Sequence, residues 1–433
     1  MQRTSTPKTG RRRVPPLAAL ALAGGLLIAA CGSDSKSSST VASPTTLATA
    51  ASAVTPGSTG DATATTGDAS ATTAANAPAT GEPIKIAVTN DETSLPQFTL
   101  GLQAYVDDWN ARGGYKGRPI QLIVEDLTSD PATAAAAGQK MVNQDNVVAV
   151  LSTNSNLNCT ANGSFLNSEK VPVLYNSIDA PCLQYDNFFG FMNPAPDLTV
   201  PGAAWLVDQG AKSTAFLVPN FPGVEVQADG MKKYAEAHGA KFTLEFVPLT
   251  ATAADFDSAI ADMKSKGVDG VFALAGPAGF TTIIQSASNQ GFFVDDGIKW
   301  LYGPTLYTPS AISAIPELSK GGGILTQTIP FEVDDPAVKA IFDKLVAKSK
   351  MVDGFSALAW NSGAALEQVF ANLQGDDVTR ASLMQAFQAT KSTKLPLSTV
   401  DADLTSRTNP PAGAVVTVKD GKFVVQTDFF IVK

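Results

Sequence analysis

The 433-residue chain has one histidine, His238, and three cysteines. A single imidazole excludes paired histidine ligands for a metal. No G-x-S-x-G elbow, Walker loop or set of paired metal-ligand cysteines supplies another catalytic framework. His238 precedes Gly239 at a predicted helix end, where interaction with the helix dipole accounts for it. Charge is also scarce, at 16% of residues, and is biased toward acid, with 31 basic against 40 acidic side chains. Five of the basic ones lie in the first thirty residues, so the rest of the chain carries −14 rather than −9, which argues against a nucleic-acid partner. Even the apolar run at residues 17–30 falls short of the roughly 18 residues that a spanning helix needs. What is plentiful is hydrophobic content, at 44%, enough for a large core, and the length predicts two lobes.

The N-terminus runs from a basic patch (Lys8, Arg11, Arg12, Arg13) through the apolar stretch to Ile28-Ala29-Ala30-Cys31. That order is a secretory signal's. The last four residues resemble a lipobox, whose cysteine is lipidated and becomes the mature N-terminus. Residues 1–30 would then be a lipoprotein signal peptide, and acyl chains on Cys31 would anchor the protein outside the cytoplasm on the cell membrane. An ordinary secretory signal with an accidental cysteine is the alternative. Residues 33–81 are almost entirely Ser, Thr, Ala, Pro and Gly without an apolar period. Such a stretch cannot offset its ordering entropy, so residues 31–82 are expected to be a disordered tether.

Cys159 and Cys182 remain as an even pair in an exported chain, each just beyond a predicted strand (147–151 and 171–175). Adjacent parallel strands would bring those two loops together, so a disulfide is expected, two free buried thiols being the other possibility.

The most legible stretch is 98–137. Phe98, Leu102, Tyr105, Val106 and Trp109 recur at helical spacing, and Gly113-Gly114 can close the last turn. The apolar run 120–124 suits a strand buried on both faces, and Asp130-Pro131 starts another helix. From residue 83 onward short apolar strands alternate with amphipathic helices, as in parallel α/β sheets. Strands are expected at 84–89, 120–124, 147–151 and 171–174, then 188–192. A second series follows at 214–218, 241–247, 268–275, 298–302 and 324–331. Asp420-Gly421 between alternating apolar residues predicts a closing hairpin.

Asn110-Ala111-Arg112-Gly113-Gly114, then Gly117-Arg118-Pro119-Ile120, Asp126 and Asp130-Pro131, resemble the type I periplasmic binding proteins, and among them the branched-chain amino acid binding lipoproteins of ABC importers. The resemblance spans residues 83–433. It implies an α/β fold of two Rossmann-like lobes joined by a three-segment hinge, with crossings near 193–199, 327–333 and 394–400. Lobe one would comprise 83–195 with 333–394, and lobe two 196–332 with 395–433. A small polar or amino-acid-like ligand would be enclosed between them and delivered to a permease and ATPase complex, by a monomer that is no enzyme and needs no cofactor or metal. A sensor or adaptor serving a membrane signalling protein is the alternative on the same fold.

In such relatives the ligand carboxylate is held in the loops after the third and fourth strands. Here these are Ser152, Thr153, Ser155, Asn156 and Asn158, and then Ser177, Ile178 and Asp179. Asn90 and Asp91 form the first ligand loop, and Phe98, Phe221 and Tyr307 are candidates to cover an apolar portion. Thr305 stands where amino-acid-binding members carry an acidic side chain. It cannot neutralise an ammonium, which argues against an α-amino acid ligand unless Asp179 or Asp91 supplies the charge from lobe one.

Overall fold

The computed structural model describes residues 77–433, apart from 94, 129, 154, 177–179, 193–196, 222–223 and 407–408. The leader, Cys31 and most of the tether lie outside the described residues. β1 (Ile84–Asn90), β2 (Ile120–Asp126), β3 (Ala149–Ser152), β4 (Val173–Tyr175) and β5 (Phe188–Gly190) form a parallel sheet in the order β2-β1-β3-β4-β5. Ile84, Ile86 and Val88 enter one core and Ala87 another, the period of two that a strand covered on both faces imposes.

α1 (Pro96–Ala111), α2 (Pro131–Asn143) and α3 (Ser155–Ser168) link these strands. α1 buries Phe98, Leu102, Tyr105, Val106 and Trp109. It ends where Gly113 and Gly114 take φ of 104° and 57°, the Gly114 N–H returning to Trp109 O at 2.9 Å. At α2 the Asp130 carboxylate accepts from Thr133 N at 2.7 Å, with Pro131 in the first turn.

The second sheet begins after α4 (Val200–Asp208). It contains β6 (Ser213–Pro219), β7 (Lys241–Val247), β8 (Gly270–Ala273), β9 (Lys299–Tyr302) and β10 (Gly323–Thr326), with α5 (Val224–Ala237), α6 (Ala253–Ser265), α7 (Pro277–Asn289) and α8 (Pro309–Ala314) between them. The chain then returns to the first core as α9 (Pro336–Lys348), α10 (Gly354–Ala371) and α11 (Arg380–Ala389). It ends on the second sheet as the antiparallel pair β11 (Ala412–Lys419) and β12 (Lys422–Ile431). Asp420 and Gly421 carry φ of 51° and 71°, as a two-residue hairpin turn requires. The order is β12-β11-β10-β9-β8-β6-β7, so its parallel part repeats the winding of the first sheet. α10 meets α1 so closely that a Cβ on Gly101 would lie 2.8 Å from Ser356 O, a spacing only glycine permits. Cys159 on α3 is bonded to Cys182 in the short helix Ala180–Gln184.

Three expectations are corrected. The strand expected over 324–331 stops at Thr326, because Ile329 and Phe331 turn away to pack on the first core. The third crossing lies between Leu404 and Ala412 rather than at 394–400, since Leu395, Leu397, Ala402 and Leu404 are buried in the first core; residues 395–404 therefore do not open the second lobe. The disordered tether does not extend to residue 82, because the amides of Ala79, Thr80 and Gly81 bond to Asn110 O and Gly117 O at 2.9–3.2 Å. Helix α4 carries no periodic signal in the sequence, because residues 200–206 are all buried and leave no polar face. Among the described residues no helix is long and apolar enough to cross a membrane.

Candidate ligand cleft

A sheet wound in the order β2-β1-β3 opens a crevice beyond the carboxyl ends of β1 and β3, where successive connections leave on opposite faces; β6 and β8 repeat this in the second lobe. A cavity of about 340 Å³ lies there. Its first-lobe wall includes Thr153 after β3, Asn176 after β4, and Phe355 and Leu358 one turn apart on α10. Its second-lobe wall includes Pro219 and Phe221 after β6, Gln227 on α5, Leu274-Ala275-Gly276 after β8, and Pro304-Thr305 after β9. Thr199 and Gln327, in the connections between lobes, close it. No charged side chain occurs among the described residues that line it. A second cavity of about 540 Å³ shares Pro219, Ala275, Gly276 and Thr305 with the first, so the two are parts of one cleft.

The polar atoms of the wall are largely committed. Thr153 Oγ1 donates to Asn90 Oδ1 at 2.6 Å, and Asn90 Nδ2 donates to Leu95 O at 2.7 Å and Glu92 Oε1 at 3.0 Å. Buried Asn90 thus organises the first loop and positions Thr153 without lining the cavity itself. Thr305 Oγ1 donates to Ala275 O at 2.7 Å, tying the β8 and β9 loops and leaving it only acceptor capacity. Asn176 Oδ1 accepts from Ser362 Oγ at 3.0 Å. Gly276 caps the start of α7, and a Cβ at its position would meet no neighbour within 4 Å among the described residues.

Of the expected ligand residues, Thr153, Phe221 and Thr305 are brought together at this cavity. Ser152 is buried at the end of β3. Ser155, Asn156 and Asn158 fall in the first turn of α3 rather than in a loop, because the chain turns helical directly after β3. Asn158 is fully buried and donates to Thr89 Oγ1 at 3.1 Å while accepting from Asn162 Nδ2 at 2.9 Å. Phe98 is enclosed in the first core, and Asp91 accepts from Thr93 N at 3.1 Å within its own turn. Tyr307 sits in the second lobe's core, where its hydroxyl donates to Glu332 and accepts from Phe331 N at 2.9 Å, pinning the second connection. Ser177, Ile178 and Asp179 lie outside the described residues.

Residues the sequence reading did not single out are Gln227, Phe272, Leu274-Ala275-Gly276, Phe355 and Leu358. Gly276-Pro277 after an apolar strand is a helix-start signal at the second lobe's switch point, the same rule that located the first lobe's loops. Asp353, on the wall of the larger cavity, was also passed over. It caps α10, its Oδ1 accepting from Ser356 N at 2.9 Å. Burial pushes its carboxyl up to about 6, against the opposing hydrogen bonds from Ser356. The folded value exceeds the unfolded one, so the native state binds the proton more tightly; acidification from pH 7 to 4 stabilises the fold, and deprotonation above about 6 costs stability. Relative to Asp353→Asn, which keeps the cap but cannot titrate, the wild type is expected to gain about 2–3 kcal/mol in urea unfolding over that range. A difference constant with pH would contradict this.

Residues 83–422 match the family described as periplasmic binding protein. The Leu/Ile/Val-binding protein of Escherichia coli strain K12 is 26% identical over 333 residues, covering 69% of this chain and 82% of that protein. Among solved structures, a fatty acid ABC transporter substrate-binding protein from Thermomonospora curvata superposes with a TM-score of 0.70 at 21% identity, covering 83% of this chain and 95% of the other. A solute-binding protein of an ABC transporter from R. palustris, in complex with 4-hydroxybenzoate, gives 0.69 at 20% identity, covering 81% and 97%. These two likenesses concern the fold. The extent of the family match settles membership: this chain belongs to the type I periplasmic binding proteins, a family of extracytoplasmic solute-binding proteins that are not enzymes.

Proposed function

We propose that this protein encloses a small carboxylate with an apolar, ammonium-free body between its lobes and delivers it to an ABC importer, held at the cell membrane through lipidated Cys31. Lobe one would comprise residues 83–195 with 333–404, and lobe two 196–332 with the strands from Ala412. The observation that carries the reading is the cavity of about 340 Å³, walled by Phe221, Phe272, Leu274, Leu325, Phe355 and Leu358 without a charged side chain among its described lining residues. An ammonium in this part of the cleft would lose its hydration without gaining a counter-charge from those residues, Asp353 lying on the wall of the other part. A carboxylate would find an anchor at the N-terminus of α3, which begins just beyond Thr153.

The relatives named above support the carboxylate. Leucine, isoleucine, valine, fatty acids and 4-hydroxybenzoate, the ligands in those proteins' names, share that group and an apolar body. Closure needs only a ligand that prefers the closed arrangement of the three connections. The test is calorimetric titration of the ligand-stripped full chain with benzoate, 4-hydroxybenzoate, octanoate, 8-hydroxyoctanoate and leucine. At least one of the four carboxylates without an amino group should bind ten-fold or more tightly than leucine. Tighter binding of leucine would reverse the reading of Thr305.

A further inference from the structure

Gln227 differs from the other polar residues of the cleft. It is more than nine-tenths buried, it lines the 340 Å³ cavity, and its side-chain Oε1 has no hydrogen-bond partner among the described residues. Its main chain, by contrast, is fixed, since Gln227 O accepts from Thr199 Oγ1 at 2.6 Å, which ties α5 to the start of α4. The amide is therefore carried on a rigid element with hydrogen-bonding capacity unfilled. A buried acceptor left without a partner is costly, and a leucine or methionine in a cavity wall shared with Phe272, Leu274 and Leu325 would avoid that cost. Thr153 and Thr305 offer no equivalent, because both have given their hydroxyl protons to protein acceptors.

We infer that Gln227 is a specificity-determining residue that pairs with a neutral hydroxyl or amide on the ligand, presented to the second-lobe wall while the carboxylate lies against the first lobe. The ligand class narrows accordingly to apolar carboxylates bearing a second, uncharged polar group. A hydroxyl suits a glutamine amide because each group can both donate and accept. Sites built to pair with such a group discriminate against analogues that lack it, since the protein's own polar atom is then stranded.

The inference rests on the carboxylate reading above, and two matched pairs of probes separate the two. The full chain is titrated with 4-hydroxybenzoate against benzoate and with 8-hydroxyoctanoate against octanoate. In the wild type the hydroxylated member of at least one pair is expected to bind about ten-fold more tightly. In Gln227→Leu that ratio should fall to within two-fold, mainly through weaker binding of the hydroxylated member. Gln227→Met, closer in shape, should behave the same and covers a folding defect in the leucine variant, while Gln227→Glu, which keeps an acceptor, should retain the preference. Binding of the carboxylates with no hydroxyl preference, or a preference unchanged in the Leu and Met variants, overturns the role of Gln227 alone. No binding of any of the four probes overturns the carboxylate reading and this inference with it.

Discussion

Replacing Gly276 with valine is expected to weaken binding of the tightest of the carboxylate probes by 10- to 100-fold while leaving the fold intact. Gly276 borders both parts of the cleft, and a Cβ built on it meets no atom within 4 Å. Its backbone, φ −72° and ψ 167°, is extended and suits any residue that precedes proline, so valine introduces no strain. The added methyl groups then occupy only the space that a ligand would take. Overfilling a packed site costs roughly 1–3 kcal/mol, the origin of the expected loss in affinity. Thermal unfolding of the variant should match the wild type, and Gly276→Ala should give a smaller defect of the same sign. Wild-type affinity in the valine variant would mean that the ligand does not reach the wall formed by the start of α7.

Much of the scaffold was legible because its signals are local. Phe98 to Trp109 recur on one helical face, Gly113-Gly114 adopt the positive φ that closes that helix, and Asp130-Pro131 caps the next. Each depends on a few neighbouring residues and on backbone sterics. The cleft was legible in part. Thr153, Phe221 and Thr305 could be placed by counting loops after strands, because ligand crevices in wound sheets follow topology. Phe355 and Leu358 could not be found this way, since they reach the cavity on a helix that returns to the first lobe after the second connection. Aromatic residues mark neither role by themselves. Phe98 and Phe221 look alike in the sequence, yet one fills the first core and the other borders the cleft, a difference fixed by tertiary packing. Helix α4 and residues 395–404 were missed for a related reason, as both are buried on all sides or joined to a distant core, and neither state leaves a periodic trace.

Removing the disulfide is expected to be among the most destabilising changes available in the first lobe. Cys159 and Cys182 are 23 residues apart, and cross-linking a loop of that length removes conformational entropy from the unfolded chain worth about 3 kcal/mol. The double variant Cys159→Ala/Cys182→Ala should therefore lose about that much in urea unfolding, with a steeper denaturant dependence because its unfolded chain is no longer held compact; alanine adds no polar group to a core containing Leu166, Val171, Tyr175 and Phe188. Both cysteines are almost wholly buried, at 3% and 0% residue exposure, so reductant added to the native wild type should act slowly and mainly through unfolding. The bond also has a bearing on the cleft. It fastens α3, whose first turn follows Thr153, to the short helix Ala180–Gln184 beyond Asn176, and these are the two first-lobe loops that border the cavity. Without it, ligand binding must order that pair of loops, so affinity for the carboxylate probes should fall several-fold alongside stability. A stability loss below about 1 kcal/mol would mean that packing of α3 against the third core already holds the loops, and that the cross-link adds little to the native architecture.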